Sequence, residues 1–170
     1  MLMNEKSVQE TYNTLTRKLL SKGLTVSVME SCTAGLLATL LSNVEGSSGT
    51  LKGGYVTYCN EAKIKAGVPK DIIDEYGVYS RETAVKMAET VREQLETDIG
   101  IGVTGSFGNP DPQNPDSIPG QVHFAIALPT ETLPFFIELP LFESRYDAKL
   151  CVAARIAEKL LDRCRGEFSL

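Results

Sequence analysis

Apolar residues recur every three or four positions in several stretches of the chain, a spacing that predicts amphipathic helices. In residues 5–22, Val8, Tyr12 and Leu15 share one face, and Gly23 supplies a helix stop. Further helices are predicted at residues 32–43, in a short segment from Pro69 to Gly77, in a longer segment that Ser80 can cap, and at residues 144–164.

Runs of apolar and β-branched residues between these helices predict strands. The predicted strands lie at residues 24–29, 55–59, 98–103, 121–128 and 133–139. Helices in the middle of the chain favour parallel crossover connections, whereas the short gap between the last two strands predicts an antiparallel hairpin. The pattern therefore predicts an α/β fold, a three-layer mixed sheet with helices on both faces, in a single domain over residues 1–170.

One long segment interrupts this pattern. Residues 105–120 contain four prolines together with several Asn and Asp residues, which predicts a loop. A loop of this length is unusual inside a compact domain and is typically functional or mobile.

The composition is that of an ordinary globular protein, with 42% apolar and 23% charged residues among 170. The net charge is −5 and no basic block stands out, so we expect no nucleic-acid partner, and an anionic ligand would need a local site. The chain has no apolar run of about 18 residues and no signal-peptide pattern at its start. We therefore expect no membrane association and a cytoplasmic location.

The cysteines and the histidine limit the metal chemistry. Four cysteines lie far apart without a CxxC pair, which argues against zinc and for free thiols in a reducing compartment. The single histidine, His123, excludes metal sites that need two or three histidines, and its place within a predicted strand favours a structural role. We therefore expect no metal and no cofactor.

Polar side chains follow three predicted strands at the point where each strand ends. Glu30, Ser31 and Thr33 follow the first strand and precede a helix, so Ser31 would lie near unpaired N–H groups that can hold an anion or an oxyanion. Alternatively, Ser31 or Thr33 caps the helix. Cys32 is either a rival nucleophile at the helix N-terminus or a small packed residue.

The other two strand ends carry a second set of candidates. These residues are Tyr58, Asn60, Lys63, Thr104 and Gly105. Ligands bind beyond the carboxyl ends of the strands in open α/β sheets, so we expect this set to converge with the residues that follow the first strand.

Individual members of the set allow more than one interpretation. A serine nucleophile needs a base, and Lys63 is the natural candidate if burial lowers its pKa, but it can equally be a solvated lysine beside Glu61. Tyr58 either donates a hydrogen bond to the substrate or to the serine, or is a half-buried strand aromatic. Ser47 and Ser48, in a glycine-flanked loop, either bind phosphate or form a solvated turn.

Five segments of the chain resemble, in order and in spacing, motifs of the C-terminal domain of the CinA family. They are Glu-Ser-Cys-Thr-Ala-Gly at 30–35, Gly-Ser-Ser at 46–48, Tyr-Val-Thr-Tyr-Cys-Asn-Glu-Ala-Lys at 55–63, Tyr-Gly-Val-Tyr-Ser at 76–80 and Val-Thr-Gly at 103–105. The resemblance extends over about residues 8–163. The large molybdopterin-binding-like domain of full-length members is missing, so we expect a stand-alone form.

In many members this domain is a nicotinamide-nucleotide amidohydrolase. The resemblance therefore implies that a small-molecule nucleotide, nicotinamide mononucleotide, is hydrolysed at its carboxamide to nicotinic acid mononucleotide and ammonia. It implies Ser31 as nucleophile and Lys63 as base, with the backbone N–H groups around Cys32 and Thr33 holding the oxyanion. It also implies that Arg145 contacts phosphate or substrate, although Arg145 can instead pair with Glu143 or Asp147. The predicted catalytic residues are Ser31, Tyr58 and Lys63, and the predicted substrate-binding residues are Glu30, Thr33, Ser48, Asn60, Thr104, Gly105 and Arg145.

The sequence departs from the family pattern at two places. Ala34-Gly35 replaces the usual Gly-Gly, and residues 106–120 lack the usual Lys-Pro-x-Gly lysine while carrying Asp111 and Asp116. Negative charge near a phosphate is repulsive unless Arg145 or another cation offsets it. Two alternatives therefore stay open, a nucleotide-binding or regulatory module without turnover and an amidohydrolase of a different small amide. The exposed edge of the 121–139 hairpin favours self-association.

Overall fold

The computed structural model describes residues 4–108 and 110–165. Five strands form one sheet in the order β2-β1-β3-β4-β5. The strands are β1 (Val26–Glu30), β2 (Leu51–Val56), β3 (Ile99–Gly105), β4 (Gln121–Ala127) and β5 (Thr132–Glu138). Strand β1 is parallel to β2 and β3, whereas β4 is antiparallel to both β3 and β5. This confirms the predicted mixed sheet and its terminal hairpin.

Within the described residues, six helices accompany the sheet. They are α1 (Glu5–Lys22), α2 (Leu36–Ser42), α3 (Asn60–Lys65), α4 (Lys70–Tyr76), α5 (Arg81–Gln94) and α6 (Arg145–Arg165), and a short 3₁₀ turn spans Ser47–Gly49. The first helix has the predicted bounds because Asn4 caps its start and Gly23, at φ 65°, ends it. Within the described residues, no helix combines the length and apolar character needed to cross a membrane.

The helices cover both faces of the sheet, as predicted. Helices α1, α2 and α6 enclose the larger core with side chains such as Val28, Ile101 and Phe124. On the other face, α4 and α5 pack over Met29 and a patch of small alanines. The alternation of β-branched residues and glycine in β3 therefore has a packing reason. The branched side chains enter the larger core, and a Cβ at Gly102 would lie only 2.5 Å from the Ala84 carbonyl oxygen of α5.

Two elements depart from their predicted bounds by more than two residues. Helix α2 begins at Leu36 rather than at residue 32, because Ala34 (φ 50°) and Gly35 (φ 92°) take left-handed conformations in a turn before it. Strand β2 covers Leu51–Val56 rather than 55–59, with Gly54 paired to Val28 inside the ladder. A Cβ at Gly54 would lie 2.3 Å from the Val28 carbonyl oxygen, so this glycine belongs in the sheet and not in the preceding loop.

The end of the sheet formed by the hairpin is an edge. Strand β5 is the last strand, and Phe136 on it is 52% exposed. Self-association through this hairpin stays a prediction.

Candidate active site

The turn after β1 is built around a buried carboxylate. Glu30 is fully buried, and its oxygens accept hydrogen bonds from the Thr33 hydroxyl (2.6 Å) and from the backbone N–H groups of Gly35 (3.0 Å), Leu37 (3.1 Å) and Ala38 (3.0 Å). These N–H groups are the unpaired donors at the start of α2. The Glu30 carboxylate and the Thr33 hydroxyl are therefore used within the turn and cap the helix, so of the groups of these two residues only the Thr33 backbone N–H is left to meet a ligand.

This turn presents Ser31 at the carboxyl edge of the sheet, beside a buried lysine. The Lys63 Nζ donates hydrogen bonds to the Ser31 Oγ (3.0 Å) and to the Thr57 carbonyl oxygen (2.8 Å). Ser31 is 4% exposed and Lys63 only 1% exposed. Because α3 begins at Asn60, shortly after β2 ends at Val56, the one buried position of this helix brings Lys63 under the serine. The alternative of a solvated surface lysine is wrong.

Burial changes the proton affinity of this lysine. Loss of water lowers the pKa of Lys63 from 10.5 to about 8, and nearby groups, Cys32, Cys59 and Asp111, oppose the decrease only in part. A substantial fraction of the side chain is therefore the free amine at mildly alkaline pH. A free amine can accept the hydroxyl proton of Ser31.

Cys32 is not suited to be the nucleophile. Its side chain is 4% exposed, and burial raises the pKa of the thiol to about 12, an effect that the nearby Lys63 only partly opposes. The thiolate, which is the reactive form, is therefore scarce at neutral pH. Of the two interpretations of Cys32, the small packed residue is the one that fits.

The backbone of the turn offers donors toward the pocket. Among the described residues, the N–H groups of Cys32 and Thr33 donate to no backbone or side-chain oxygen, whereas the neighbouring Ala34 N–H donates to the Ser31 carbonyl oxygen. N–H groups that donate to no protein oxygen can stabilise an oxyanion that forms next to Ser31.

A pocket of about 390 Å³ opens above Ser31. We call the buried residues at its base the floor: Glu30, Ser31, Cys32 and Lys63. We call the residues around its mouth the rim: Tyr58, Cys59, Phe107, Asp111 and Arg145. The floor comes from the β1–α2 turn and α3, and the rim from the β2–α3 connection, residues 106–120 and the start of α6.

One side of the rim is organised around Arg145. Its Nη2 donates to the Tyr58 hydroxyl oxygen (3.4 Å), and its guanidinium carbon lies 5.5 Å from the centre of the Phe107 ring. In the described part of the chain, no ion pair joins Arg145 to Glu143 or Asp147, so the surface salt bridge considered from the sequence is wrong. Arg145 is exposed and positioned to meet an anionic group in the pocket.

A second part of the rim is organised around Asp111. Its carboxylate accepts from the Tyr79 hydroxyl (2.7 Å), the Asn114 side-chain amide (2.7 Å) and the Gln113 backbone N–H (2.9 Å). The side-chain amide of Asn60 in turn donates to the side-chain oxygen of Asn114 (2.8 Å). The bonds from Asn114, Tyr79 and Gln113 lower the pKa of Asp111. The bond between Asn60 and Asn114 fixes the loop to α3. The structure therefore places Asn60 as an anchor of the loop rather than as a free pocket residue.

Sequence reasoning did not assign Tyr79 or Phe107 to the site. Tyr79 lies within the Tyr-Gly-Val-Tyr-Ser segment, which was the one available signal. Phe107 is an isolated apolar residue in a polar loop, and its partner Arg145 is far away in the chain, so no local pattern indicates the contact.

The remaining candidates occupy different places. Thr104 is fully buried and donates to the Val78 carbonyl oxygen (2.9 Å), whereas Gly105 lines the pocket as predicted. Ser48 is exposed and precedes β2, at the amino edge of the sheet and away from the pocket, because its strand runs parallel to β1. The structure therefore does not bring Ser48 together with the other predicted site residues. His123 lies against Phe136 (5.0 Å between ring centres) and not in the pocket, which agrees with a structural role.

The described residues contain no group of three or more His, Cys, Asp or Glu side chains placed to hold a metal ion. The pocket offers a hydroxyl, a buried amine and backbone N–H donors.

Comparisons with known proteins agree with this architecture. The family described as the CinA C-terminal domain matches residues 8–163. A CinA-like protein of Gemmatimonas aurantiaca is 39% identical over 151 residues, which is 87% of this chain and 33% of that protein. A CinA-like protein of Dictyoglomus thermophilum is 42% identical over 123 residues, 72% of this chain and 29% of that protein. The chain thus spans about a third of the length of these curated relatives.

Solved structures show the same fold. The competence/damage inducible protein CihA from Agrobacterium tumefaciens superposes with a TM-score of 0.84 at 28% identity, covering 98% of this chain and 100% of that one. A competence or damage-inducible protein from Enterobacter asburiae gives 0.83 at 26% identity, covering 92% and 98%. The family match over nearly the whole described chain, together with these superpositions, shows that the chain belongs to the CinA C-terminal domain family.

Proposed function

We propose that this domain hydrolyses the carboxamide of nicotinamide mononucleotide to nicotinic acid mononucleotide and ammonia. The observation that carries the proposal is the Ser31–Lys63 pair, with 3.0 Å between Oγ and Nζ and a lysine pKa of about 8. A nucleophile, a base whose pKa lies near neutrality and unpaired N–H donors are the parts that acyl transfer from an amide needs.

In the first half of the reaction, Ser31 Oγ attacks the carboxamide carbon while its proton passes to the neutral amine of Lys63. The negative charge moves to the carboxamide oxygen, where the N–H groups of Cys32 and Thr33 can donate to it. When the tetrahedral species collapses, the C–N bond breaks and the Lys63 ammonium returns the proton to the leaving nitrogen. Ammonia departs, and the acyl group stays on Ser31.

In the second half, a water molecule attacks the ester carbon, with Lys63 as the base again. The C–O bond to Ser31 breaks, the serine recovers its proton and the product leaves as a carboxylic acid. One water is consumed and one ammonia is released for each turnover, and the enzyme returns to its starting protonation state.

The pocket above the pair suits a small nucleotide. Its volume of about 390 Å³ lies within the usual range for small-molecule sites. Arg145 supplies a cation for the phosphate, and Tyr58 supplies aromatic surface and a hydroxyl at the rim. This assignment gives Tyr58 a binding and orienting role beside the two reacting groups.

The test measures ammonia release from nicotinamide mononucleotide by the unmodified protein and four variants. Ser31→Ala and Lys63→Met should each lower the rate by about 100-fold or more, because they remove the nucleophile and the base. Met fills the volume of the lysine, and it removes a buried charge, so we expect this variant to fold. The matched controls are Ser48→Ala, which lies at the opposite edge of the sheet, and the exposed Lys65→Met on the same helix, and both should keep the parent rate.

Three outcomes oppose the proposal in different ways. Near-normal release by Ser31→Ala excludes the covalent mechanism. Tight binding of the nucleotide without release by the unmodified protein supports a binding or regulatory module instead. Neither binding nor release indicates an amidohydrolase of another small amide.

A further inference from the structure

The charges that line the pocket are of opposite sign. Among the described lining residues, Asp111 and Arg145 are the charged ones, and they lie on different segments of the rim. No ion pair joins them, since Arg145 is held by Tyr58 and Phe107 while Asp111 is held by its own loop and Tyr79. A ligand with only negative charge would be attracted to one and repelled by the other. A ligand that carries both signs complements both residues.

The hydrogen bonds of Asp111 indicate what it can offer a ligand. A carboxylate has about four acceptor positions, and Tyr79, Asn114 and Gln113 donate to Asp111 already. These donors fix the carboxylate and keep it ionised, because they favour its charged form. Little capacity is left to accept a hydrogen bond from a ligand, so its main contribution to the pocket is negative charge.

A quaternary ring nitrogen complements a carboxylate that has negative charge but little free hydrogen-bonding capacity. An N-ribosylated pyridinium has a full positive charge and no N–H to donate, so it gains from a nearby carboxylate without needing a free acceptor. We propose that Asp111 is a specificity-determining residue that selects a cationic ring, so that the site takes zwitterionic pyridinium nucleotides in preference to uncharged aromatic amides. This inference rests on the proposed function and specifies its substrate class.

The role assigned to Asp111 also changes how the negative charge of residues 106–120 is expected to affect substrate binding. From the sequence, negative charge at residues 106–120 argued against a phosphate-bearing substrate. In the structure, Asp111 and Arg145 line one pocket from different segments and form no ion pair, so the phosphate can pair with Arg145 while the ring faces Asp111. The loop charge then favours the nucleotide.

The experiment compares two ligands that differ in one atom. Nicotinamide mononucleotide has the cationic ring, and benzamide ribonucleotide, in which carbon replaces the ring nitrogen, is its uncharged isostere. Dissociation constants are measured by calorimetry on a Ser31→Ala background, so that binding is read without turnover. The variants are Asp111→Asn, Asp111→Glu and, as a control in the same loop, the exposed Asp116→Asn.

We expect the Ser31→Ala protein to bind the cationic ligand about tenfold more tightly, the size of effect that a partly exposed charge pair supports. Asp111→Asn should remove this preference by weakening the cationic ligand alone, Asp111→Glu should retain most of it, and Asp116→Asn should leave it unchanged. Equal weakening of both ligands by Asp111→Asn would show a structural loop role and overturn the inference. No weakening of either ligand would overturn it as well.

The design separates this inference from the proposed function. Preferential binding of the cationic ligand that depends on Asp111, without ammonia release by the unmodified protein, would overturn the proposed hydrolysis and keep the selectivity. Ammonia release without any preference for the cationic ligand would support the proposed hydrolysis and overturn the selectivity.

Discussion

The floor and the rim of the pocket differ in how much water reaches them. The floor residues are buried, with Glu30 at 0%, Lys63 at 1% and Ser31 at 4% exposure, whereas Tyr58 on the rim is 60% exposed. The floor is held by hydrogen bonds within the β1–α2 turn and by the bond from Lys63 to Ser31, and the rim by contacts between segments that are distant in the chain. The comparison separates two tasks that one site has to perform.

Burial is what makes the floor reactive. The pKa of Lys63 is lowered chiefly because its ammonium has lost water, and the same loss keeps Cys32 in the unreactive thiol form. Charges on the rim remain in contact with solvent and are free to meet a ligand. The floor thus activates and the rim selects, which is consistent with a rim loop that departs from the family pattern above an intact Ser31–Lys63 pair.

The largest effect should follow from breaking the floor at Glu30. Glu30→Ala leaves the Thr33 hydroxyl and three N–H groups at the start of α2 without their acceptor. We expect the free energy of unfolding to fall by about 3–5 kcal/mol, as when one partner of a buried charged network is removed. Urea denaturation measures the loss, and the exposed Glu45→Ala should change it by less than about 0.5 kcal/mol. A loss below about 1 kcal/mol for Glu30→Ala would contradict the capping role.

The next effect compares one thiol from each region. Cys59 on the rim is exposed, whereas Cys32 on the floor is buried with a raised pKa of about 12. At neutral pH we expect Cys59 to react with a maleimide at least about 100-fold faster, because reaction needs both access and thiolate. Peptide mapping by mass spectrometry over a time course gives the two rates. The label on Cys59 should also weaken nucleotide binding, and binding by the Cys59→Ser control should be insensitive to the reagent. Comparable rates at both cysteines would show that the floor is open to solvent.

Much of the fold could be predicted from periodicity, and the failures have identifiable causes. The strand patterns indicated a mixed sheet because alternating and continuous apolar runs follow which faces are buried. The start of α2 was misplaced because its cap is a carboxylate five to eight residues upstream, not a hydroxyl at the adjacent position. Gly54 suggested a loop because nothing local indicates that β1 packs too closely for a side chain.

Some features of the site could likewise be predicted from the sequence, and others could not. The rule that ligands bind beyond strand ends brought Ser31, Lys63 and Tyr58 to one edge, because parallel neighbours fix where each strand ends. It could not tell that Glu30 turns inward, nor that Asp111 bonds to Tyr79 across 32 residues of sequence. Such contacts depend on the path of an irregular loop, which leaves no periodic signal.

The pH dependence of the rate should report chiefly the protonation of Lys63 on the floor, with a small influence from the rim. Because the pKa of Lys63 is lowered to about 8 and the base has to be the free amine, kcat/KM should rise about tenfold per pH unit below 8 and level off above it. The decrease toward acid reflects protonation of Lys63, since a lysine is inactive as a base below its pKa. Removing the negative charge in Asp111→Asn should move this limb slightly toward acid, because that carboxylate raises the lysine pKa. A flat profile between pH 6 and 9 would rule out Lys63 as the base.

The smallest effect concerns strain in the turn that forms the floor. Ala34 has a positive φ of 50°, a conformation that costs a non-glycine residue about 1–2 kcal/mol, and its methyl group is exposed and does not line the pocket. The stability gained by relieving that strain is partly offset, because glycine loses more chain entropy on folding than alanine does. Ala34→Gly should therefore raise the free energy of unfolding by about 0.5–1 kcal/mol and leave the rate of hydrolysis unchanged. Ala38→Gly, within helix α2, should lower it by a similar amount, so urea denaturation of the pair gives opposite signs. If both substitutions destabilise the protein, the left-handed turn is not strained at Ala34, and the methyl group there has a packing role instead.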